Sequence, residues 1–380
     1  MNNNSFFVTT PIYYVNDAPH IGHAYTSIAC DVLARFNRLS KKNTMFLTGT
    51  DEHGLKIEQA AKKKNMDTKK FVDEMSRDFK KLSKTLNLSN DFFIRTTDIF
   101  HKKASQHIWN ILNKNDQIYL DKYKGWYSIS DEAYFNDDEI RVDEKTKKKI
   151  APSGNEVQWV EEESYFFKLS KWQDKLLDYY KKNPNFIGPE TRKNEVISFV
   201  KRGLNDLSIS RTTFSWGIEV PDNKKHVMYV WLDALINYLS AIGYPDEKYK
   251  KFWPATVHVV GKDIIRFHAV YWPAFLLAAD IKPPKRIFAH GWWTNEGKKI
   301  SKSLGNVIDP NEIVKEYGLD TLRFFLLKEV PFGNDGDFSK KSLERRINND
   351  LANDLGNLVQ RVLTIINKNL GGKLSKIKQI

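Results

Sequence analysis

Two short strings in this 380-residue chain combine side chains suited to a polyphosphate. The first is His20-Ile21-Gly22-His23. Its histidines offer neutral or cationic donors, and Gly22, lacking a Cβ, lets a flat ring such as adenine lie against the backbone. The second is Lys299-Ile300-Ser301-Lys302-Ser303, bracketed by Gly297 and Gly305. Two ammonium groups on a segment free to move are what a triphosphate needs as charge builds on a departing pyrophosphate. Neither string is specific alone: histidines near a turn are as often ordinary surface or core residues. A lysine-serine string among 60 Lys and Arg is more often a plain polar loop.

The surrounding elements must place these strings. Phe6-Phe7-Val8-Thr9-Thr10, bounded by Pro11, is short, aromatic and β-branched, and is predicted as a buried strand. Ile21, Ala24, Ile28, Val32, Phe36 and Leu39 recur every three or four residues, which predicts one apolar helix face. Pro19 falls near the start of that helix, where its missing amide costs nothing. Thr44 to Gly49 makes a second short strand, completing a βαβ unit expected to be parallel with a right-handed crossover. The first string then sits at a helix N-terminus, whose free amides and partial positive charge attract phosphate. Asp51, just after the second strand, occupies the strand end where ligands of open α/β sheets lie.

The pattern returns late in the chain. Tyr229 to Ile242 is helical by period and ends at Gly243; Thr256 to Val260 is a strand leading into Gly261-Lys262-Asp263. A helix through Ala279 and a strand over Arg286 to His290 follow, so one split α/β domain is expected around an insertion of short strands. Trp231, Ala234 and Tyr238 share one helix face and His268 and Trp272 another, which with Ile12 and Tyr14 describes either an aromatic slot or plain core.

Composition narrows the class. Hydrophobic residues at 41% with 28% charged are those of a folded globular chain. A formal charge of +13 fits a polyanionic partner or a lysine-rich compositional bias equally. The single cysteine, Cys30, excludes an internal disulfide and a cysteine-bound metal cluster, and its place in the first helix reads as a small hydrophobe. No apolar run approaches the ~20 residues needed to span a membrane, and Met1 to Ser5 has no basic or amphipathic targeting character, so a cytoplasmic setting is expected. The lysine run 145–149 reads as a solvated face, with RNA contact the lesser reading.

Both strings together, in this order on opposite halves of a split α/β domain, resemble the two signatures of class I aminoacyl-tRNA synthetases. Ile300 stands where that class more often has methionine. Pro11 to Asn16, Gly49 to Gly54, Tyr229 to Ala234 and Gly261 to Ile264 resemble the methionyl branch, and the likeness spans nearly the whole chain. The resemblance implies a split Rossmann-like parallel sheet with an inserted small α+β connective domain and a C-terminal helical segment. It divides the chain into 1–117, first catalytic half; 118–226, connective insertion; 227–297, second catalytic half; 298–345, signature loop and stem-contact region; and 346–380, start of an anticodon-binding helical domain.

Roles follow from the same resemblance. His20, His23, Lys299 and Lys302 would drive adenylate formation, with Gly22, Gly261, Asp263, Ser301 and Ser303 holding ATP. Ile12, Tyr14, Asp51, Trp231, Ala234, Tyr238, His268 and Trp272 would hold L-methionine, the Asp51 carboxylate meeting its ammonium. A thioether suits such an aromatic lining. Magnesium would accompany ATP. Many relatives carry zinc-binding cysteine knuckles in the insertion, whereas residues 118–226 contain no cysteine, so a zinc-free knuckle packed on Trp126, Tyr127 and Trp159 is expected. Asn357 and Arg361, a helical turn apart, match positions facing anticodon bases of tRNA(Met), though salt-bridging helix surface is an equal reading. Asp350 to Ile380 supplies only the beginning of the family's anticodon bundle, so adenylate formation with weak tRNA charging is the expectation, with no membrane partner and a monomer favoured. The alternatives are a class I synthetase for another amino acid, which would bring an editing insertion or zinc cysteines, and a catalytically silent tRNA-binding relative, which would lose a signature residue. A small adenylyltransferase shares the first string but would be much shorter.

Overall fold

The first apolar run is strand β1, Ser5–Thr9, and Phe7, Val8 and Thr9 are wholly buried in it. Residues with branched or aromatic side chains on both faces suit a strand covered on both sides. Six more strands complete a parallel sheet: β2 (Tyr13–Tyr14), β3 (Asn43–Asp51), β4 (Phe92–Arg95), β5 (Ile187–Gly188), β6 (Val257–Gly261) and β7 (Ile287–His290). The order runs β5, β7, β6, β1, β3, with β2 prolonging the line of β1 along β3 and β4 on the other edge of β3. All of these pairings are parallel. The first half of the chain builds outward from β1 on one side and the second half from β6 on the other, so the strand order reverses between them. In open α/β sheets such a reversal marks the place where a crevice forms at the strands' carboxyl ends.

The structure, a computed structural model, describes residues 4–374 apart from 136, 145 and 301–304. It comprises two units, Met1–Gly291 and Trp292–Ile380. Among the described residues no helix is long and apolar enough to cross a membrane.

Helix α1, Ile21–Leu39, joins β1 to β3, and one part of its expected face is wrong. Val32, Phe36 and Leu39 are exposed, Leu39 at 83%, while Ala24, Ile28, Ala29, Cys30 and Ala34 are buried. Steps of four residues advance by about 40° beyond a full turn, so following Ile28 to Val32 to Phe36 walks off the sheet. Small side chains mark the true contact: Cys30 Sγ lies 3.5 Å from the Thr9 carbonyl. Pro19 stands one place before the helix cap, His20, rather than in the first turn. The helix expected over Tyr229 to Ile242 is two pieces, Val230–Leu235 and Asn237–Ser240, ended by Gly243 at φ 99°.

Within residues 118–226, a ribbon of Ile118–Ser128 against Gln158–Phe167 carries the short strands, whereas Ile187–Gly188 pairs with β7 in the main sheet. Trp126 and Trp159 pack edge to face at 5.1 Å, but Trp159 is half exposed. The buried centre lies elsewhere, where the Arg211 guanidinium sits 4.2 Å from the Tyr134 ring and 4.7 Å from that of Tyr229, with Tyr127 also beside it.

The second unit is built on Trp293–Asn295, antiparallel to Lys298–Lys299 and parallel to Gly336–Phe338. Phe325, on helix Leu319–Lys328, packs between Trp293 and Phe338. Helix Lys340–Arg346 continues through widened turns, Ile347–Gly356, into helix Asn357–Leu370.

Candidate active site

His20 caps helix α1. Its Nδ1 accepts from the Gly22 amide at 3.1 Å, and its own amide donates to His23 Nδ1 at 3.0 Å. Each ring therefore uses Nδ1 as an acceptor, which puts the proton of a neutral imidazole on Nε2. The rings lie 3.9 Å apart, and His23 rests edge-on to Tyr13 and Phe79. Burial, with His20 adding to it, holds His23 well below the ordinary histidine value, so His23 is a neutral donor. The Tyr13 hydroxyl donates to the His23 carbonyl at 3.2 Å, fixing the turn. A Cβ on Gly22 would meet the His20 ring at 2.9 Å, so Gly22 makes room for its neighbour's imidazole.

The other wall of the crevice comes from β6 and β7. Gly261 ends β6, and a Cβ there would strike the Asp263 carboxylate at 2.5 Å. Asp263 itself is exposed at the mouth. His290 ends β7 with Nδ1 donating to the Gly291 carbonyl at 2.8 Å and Nε2 2.7 Å from Thr26 Oγ1 on helix α1. Sequence reasoning missed His290, although its place at the carboxyl end of a parallel strand was the available signal.

Farther along the crevice lies the aromatic group. Tyr238 donates to His268 Nε2 at 2.7 Å, and His268 Nδ1 faces the Ile264 carbonyl at 3.0 Å, so the ring proton is on Nδ1. Burial lowers His268 to about 4, leaving it neutral. Tyr238 stacks on His258 at 4.0 Å, and Trp272 is wholly buried behind, its indole donating to His258 Nε2 at 3.4 Å. Trp231 lies flat on Phe267, rings 3.8 Å apart, and its buried Nε1 has no hydrogen-bond partner among the described residues. Ala234 is buried beside it in the same helix. Ile12 and Tyr14 are half-buried against the same core.

Asp51 closes this end. It is 7% exposed, and its Oδ1 is buried without a hydrogen-bond partner among the described residues. Burial, then the nearby Asp233 and Glu132 carboxylates, push it well above the ordinary aspartate value. A buried carboxylate oxygen left unpaired is costly, which is the mark of a group awaiting a cation. Glu132, also missed from sequence, accepts from the Tyr14 hydroxyl at 2.9 Å and the Lys56 amide at 3.2 Å, and from the Tyr127 hydroxyl. A turn of the insertion thus clasps Tyr14.

His20, Gly22, His23, Ile12, Tyr14, Asp51, Trp231, Ala234, Tyr238, Gly261, Asp263, His268 and Trp272 all belong to the first unit. In the second, the Lys299 main chain pairs with Thr294 after a hairpin turn at Gly297, φ 74°. Ser301, Lys302 and Ser303 lie outside the described residues. Asn357 and Arg361 are exposed on one helix. Among the described residues no three His, Cys, Asp or Glu side chains gather to hold a metal ion.

The profile of the family "tRNA synthetases class I (M)" matches residues 6–363. A methionine–tRNA ligase of Rickettsia bellii is 59% identical over 379 residues, 99% of this chain and 74% of the relative. One from Brucella suis is 55% identical over 98% of this chain and 73% of its own length. The solved Mycobacterium tuberculosis methionyl-tRNA synthetase in complex with methionyl-adenylate superposes with a TM-score of 0.95 at 51% identity, covering 99% of this chain and 74% of that one. With a split parallel sheet, a histidine-capped helix at its switch point and this likeness along nearly its whole length, the chain belongs to the methionyl branch of the class I tRNA synthetases.

Proposed function

We propose that this chain activates L-methionine with ATP and transfers it to the 3′ end of tRNA(Met). One methionine carboxylate oxygen attacks the α-phosphorus, the bond from that phosphorus to the bridging oxygen breaks, and pyrophosphate leaves. The terminal ribose hydroxyl of tRNA then attacks the acyl carbon and AMP departs. A carboxylate is already ionised near neutrality, so the first step needs no general base. What it needs is alignment and neutralisation.

The observation that carries this reading is the unpartnered, buried Oδ1 of Asp51 beside the aromatic group. It suits an α-ammonium, while Ile12, Tyr14, Trp231, Ala234, Tyr238, His268 and Trp272 line a slot for the thioether. His20 and His23 direct Nε2–H donors to the phosphates, Gly22 and Gly261 keep the backbone close to the nucleotide, and Asp263 accepts from ribose hydroxyls. Lys299 and Lys302, with Ser301 and Ser303, bind the departing phosphates. Magnesium, brought with ATP, would supply further positive charge to those phosphates. Residues 118–226 contain no cysteine, so the insertion is held by packing rather than by a cysteine-bound zinc. Asn357 and Arg361 reach anticodon bases. The division at 117, 226, 297 and 345 follows these tasks, except that Ile187–Gly188 joins the main sheet and the hairpin pairing Thr294 with Lys299 crosses 297.

Amino-acid-dependent ATP–pyrophosphate exchange across the twenty amino acids tests the proposal. Methionine should be preferred, and Lys302→Ala or His23→Ala should lower kcat by about 100-fold or more, as for loss of a transition-state donor. Preference for another amino acid, or unchanged rates in both variants, would overturn it.

A further inference from the structure

Three buried side chains tie together the elements on which the two ends of the amino-acid slot sit. His53 lies two residues beyond Asp51, and its Nδ1 is 2.6 Å from Asp233 Oδ2. His101, on helix Ile99–Lys114, places Nε2 2.7 Å from Asp233 Oδ1. Asp233 sits two residues from Trp231 and next to Ala234 on helix Val230–Leu235. These side chains are 2% exposed or less. Both carboxylate oxygens are engaged, so His53 donates from Nδ1 and His101 from Nε2. Burial alone would raise the Asp233 carboxyl; the His53 charge and the hydrogen bonds from both rings outweigh it and hold the group at about 2.

We infer that Asp233 is a positioning residue for the amino acid: through His53 and His101 it fixes the distance between the Asp51 carboxylate and the aromatic helix. This rests on the reading that the slot takes methionine. A six-residue helix cannot hold itself, and the loop beyond Asp51 turns through Gly54 at φ 111°, so both elements need an outside anchor. Two charge-assisted bonds in a dry site supply one, because neither element can shift without breaking a bond to the same carboxylate. An amino acid is gripped at both ends, the ammonium and the side chain, so an error in this spacing falls on its affinity. ATP, held at the cap of helix α1 and by Asp263, is spared.

The network also says which replacement is tolerated. Asparagine can turn its amide toward His101, whose proton moves to Nδ1 and is donated to Ser240 Oγ at 2.8 Å; Ser240 then donates to the Asn237 carbonyl at 3.3 Å. Alanine offers no such rearrangement. His53→Phe keeps a buried ring and leaves Asp233 bonded to His101, but cuts the link to the Asp51 loop.

Pyrophosphate exchange on the full chain separates the outcomes. Methionine dependence of the wild type tests the underlying reading alone. Asp233→Ala and His53→Phe should each raise the methionine KM about tenfold or more while the ATP KM stays within about twofold, and Asp233→Asn should recover most of the loss. If Asp233→Ala does not fold, His53→Phe and Asp233→Asn decide. An unchanged methionine KM in His53→Phe, equal rises in both KM values, or Asp233→Asn as impaired as a variant lacking the hydrogen bonds would each overturn the inference.

Discussion

Asp51 carries the cost of a carboxyl buried beside other carboxylates. Its carboxyl is raised above the ordinary value by burial and by Asp233 and Glu132. A group whose value is raised by folding stabilises the fold below its unfolded value and loses that contribution as pH rises through the folded one. Near neutrality, then, Asp51 weakens the empty protein, and Asp51→Asn should raise its melting temperature while raising the methionine KM by about 10- to 150-fold, the range for a lost charge-assisted bond. Scanning calorimetry beside exchange kinetics reads both; a variant less stable than the parent would contradict the argument. The wild-type methionine KM should also climb as pH falls through the raised value, since an ammonium needs the ionised form. His23, already neutral, should itself add no inflection to the kcat profile in the usual histidine range, as a pH series on His23→Gln against the parent would show. The place of Asp51 at a strand end was legible in the sequence, but its neighbours were not. His53 and Asp233 are 180 positions apart, and only the closed sheet brings them into contact.

At the scale of elements, β1, β3, β6 and β7 were readable from β-branched runs and glycine stops, while the short strands β2, β4 and β5, the order of the sheet and burial within an element were not. Helix α1 shows why: large apolar residues drew attention to Val32, Phe36 and Leu39, whereas Cys30 and Ala34 pack with Phe6 and Val8 of β1. Periodicity detects that a face exists, but small residues, which let backbones approach, carry little hydrophobic signal. Phe36→Ser should therefore change stability by no more than about 0.5 kcal/mol. Ala34→Leu should cost about 1–3 kcal/mol by overpacking, as judged by urea unfolding. The insertion teaches the same lesson with a charge. Its tryptophans are noticeable in sequence, yet its centre is Arg211, stacked on tyrosines and bonded at 3.0 Å to Ser208 Oγ. Arg211→Ala should cost about 3–5 kcal/mol by leaving Glu162 and the phenols without their buried cation. Equal stability to the parent would show that the tyrosines pack without it.

For the whole molecule, the charge acts over the surface. The chain has 60 Lys and Arg against 47 Asp and Glu, a formal excess of 13, and most lysines that form ion pairs are well exposed, as Lys62 and Lys182 are. Such charges see one another through water and salt, so they add little to stability but much to the attraction of a polyanion. Asp51, the proposed partner of the methionine ammonium, is buried and so beyond the reach of that screening. The two substrates should therefore part company when salt is raised. Between about 50 and 200 mM KCl the tRNA KM in aminoacylation should rise about tenfold or more through loss of phosphate contacts, linear in log concentration, while the methionine KM in pyrophosphate exchange stays within about twofold. A flat tRNA KM would mean that the excess charge reflects composition alone and that recognition rests on a few base contacts, whereas a parallel rise in the methionine KM would place salt-sensitive charge inside the slot.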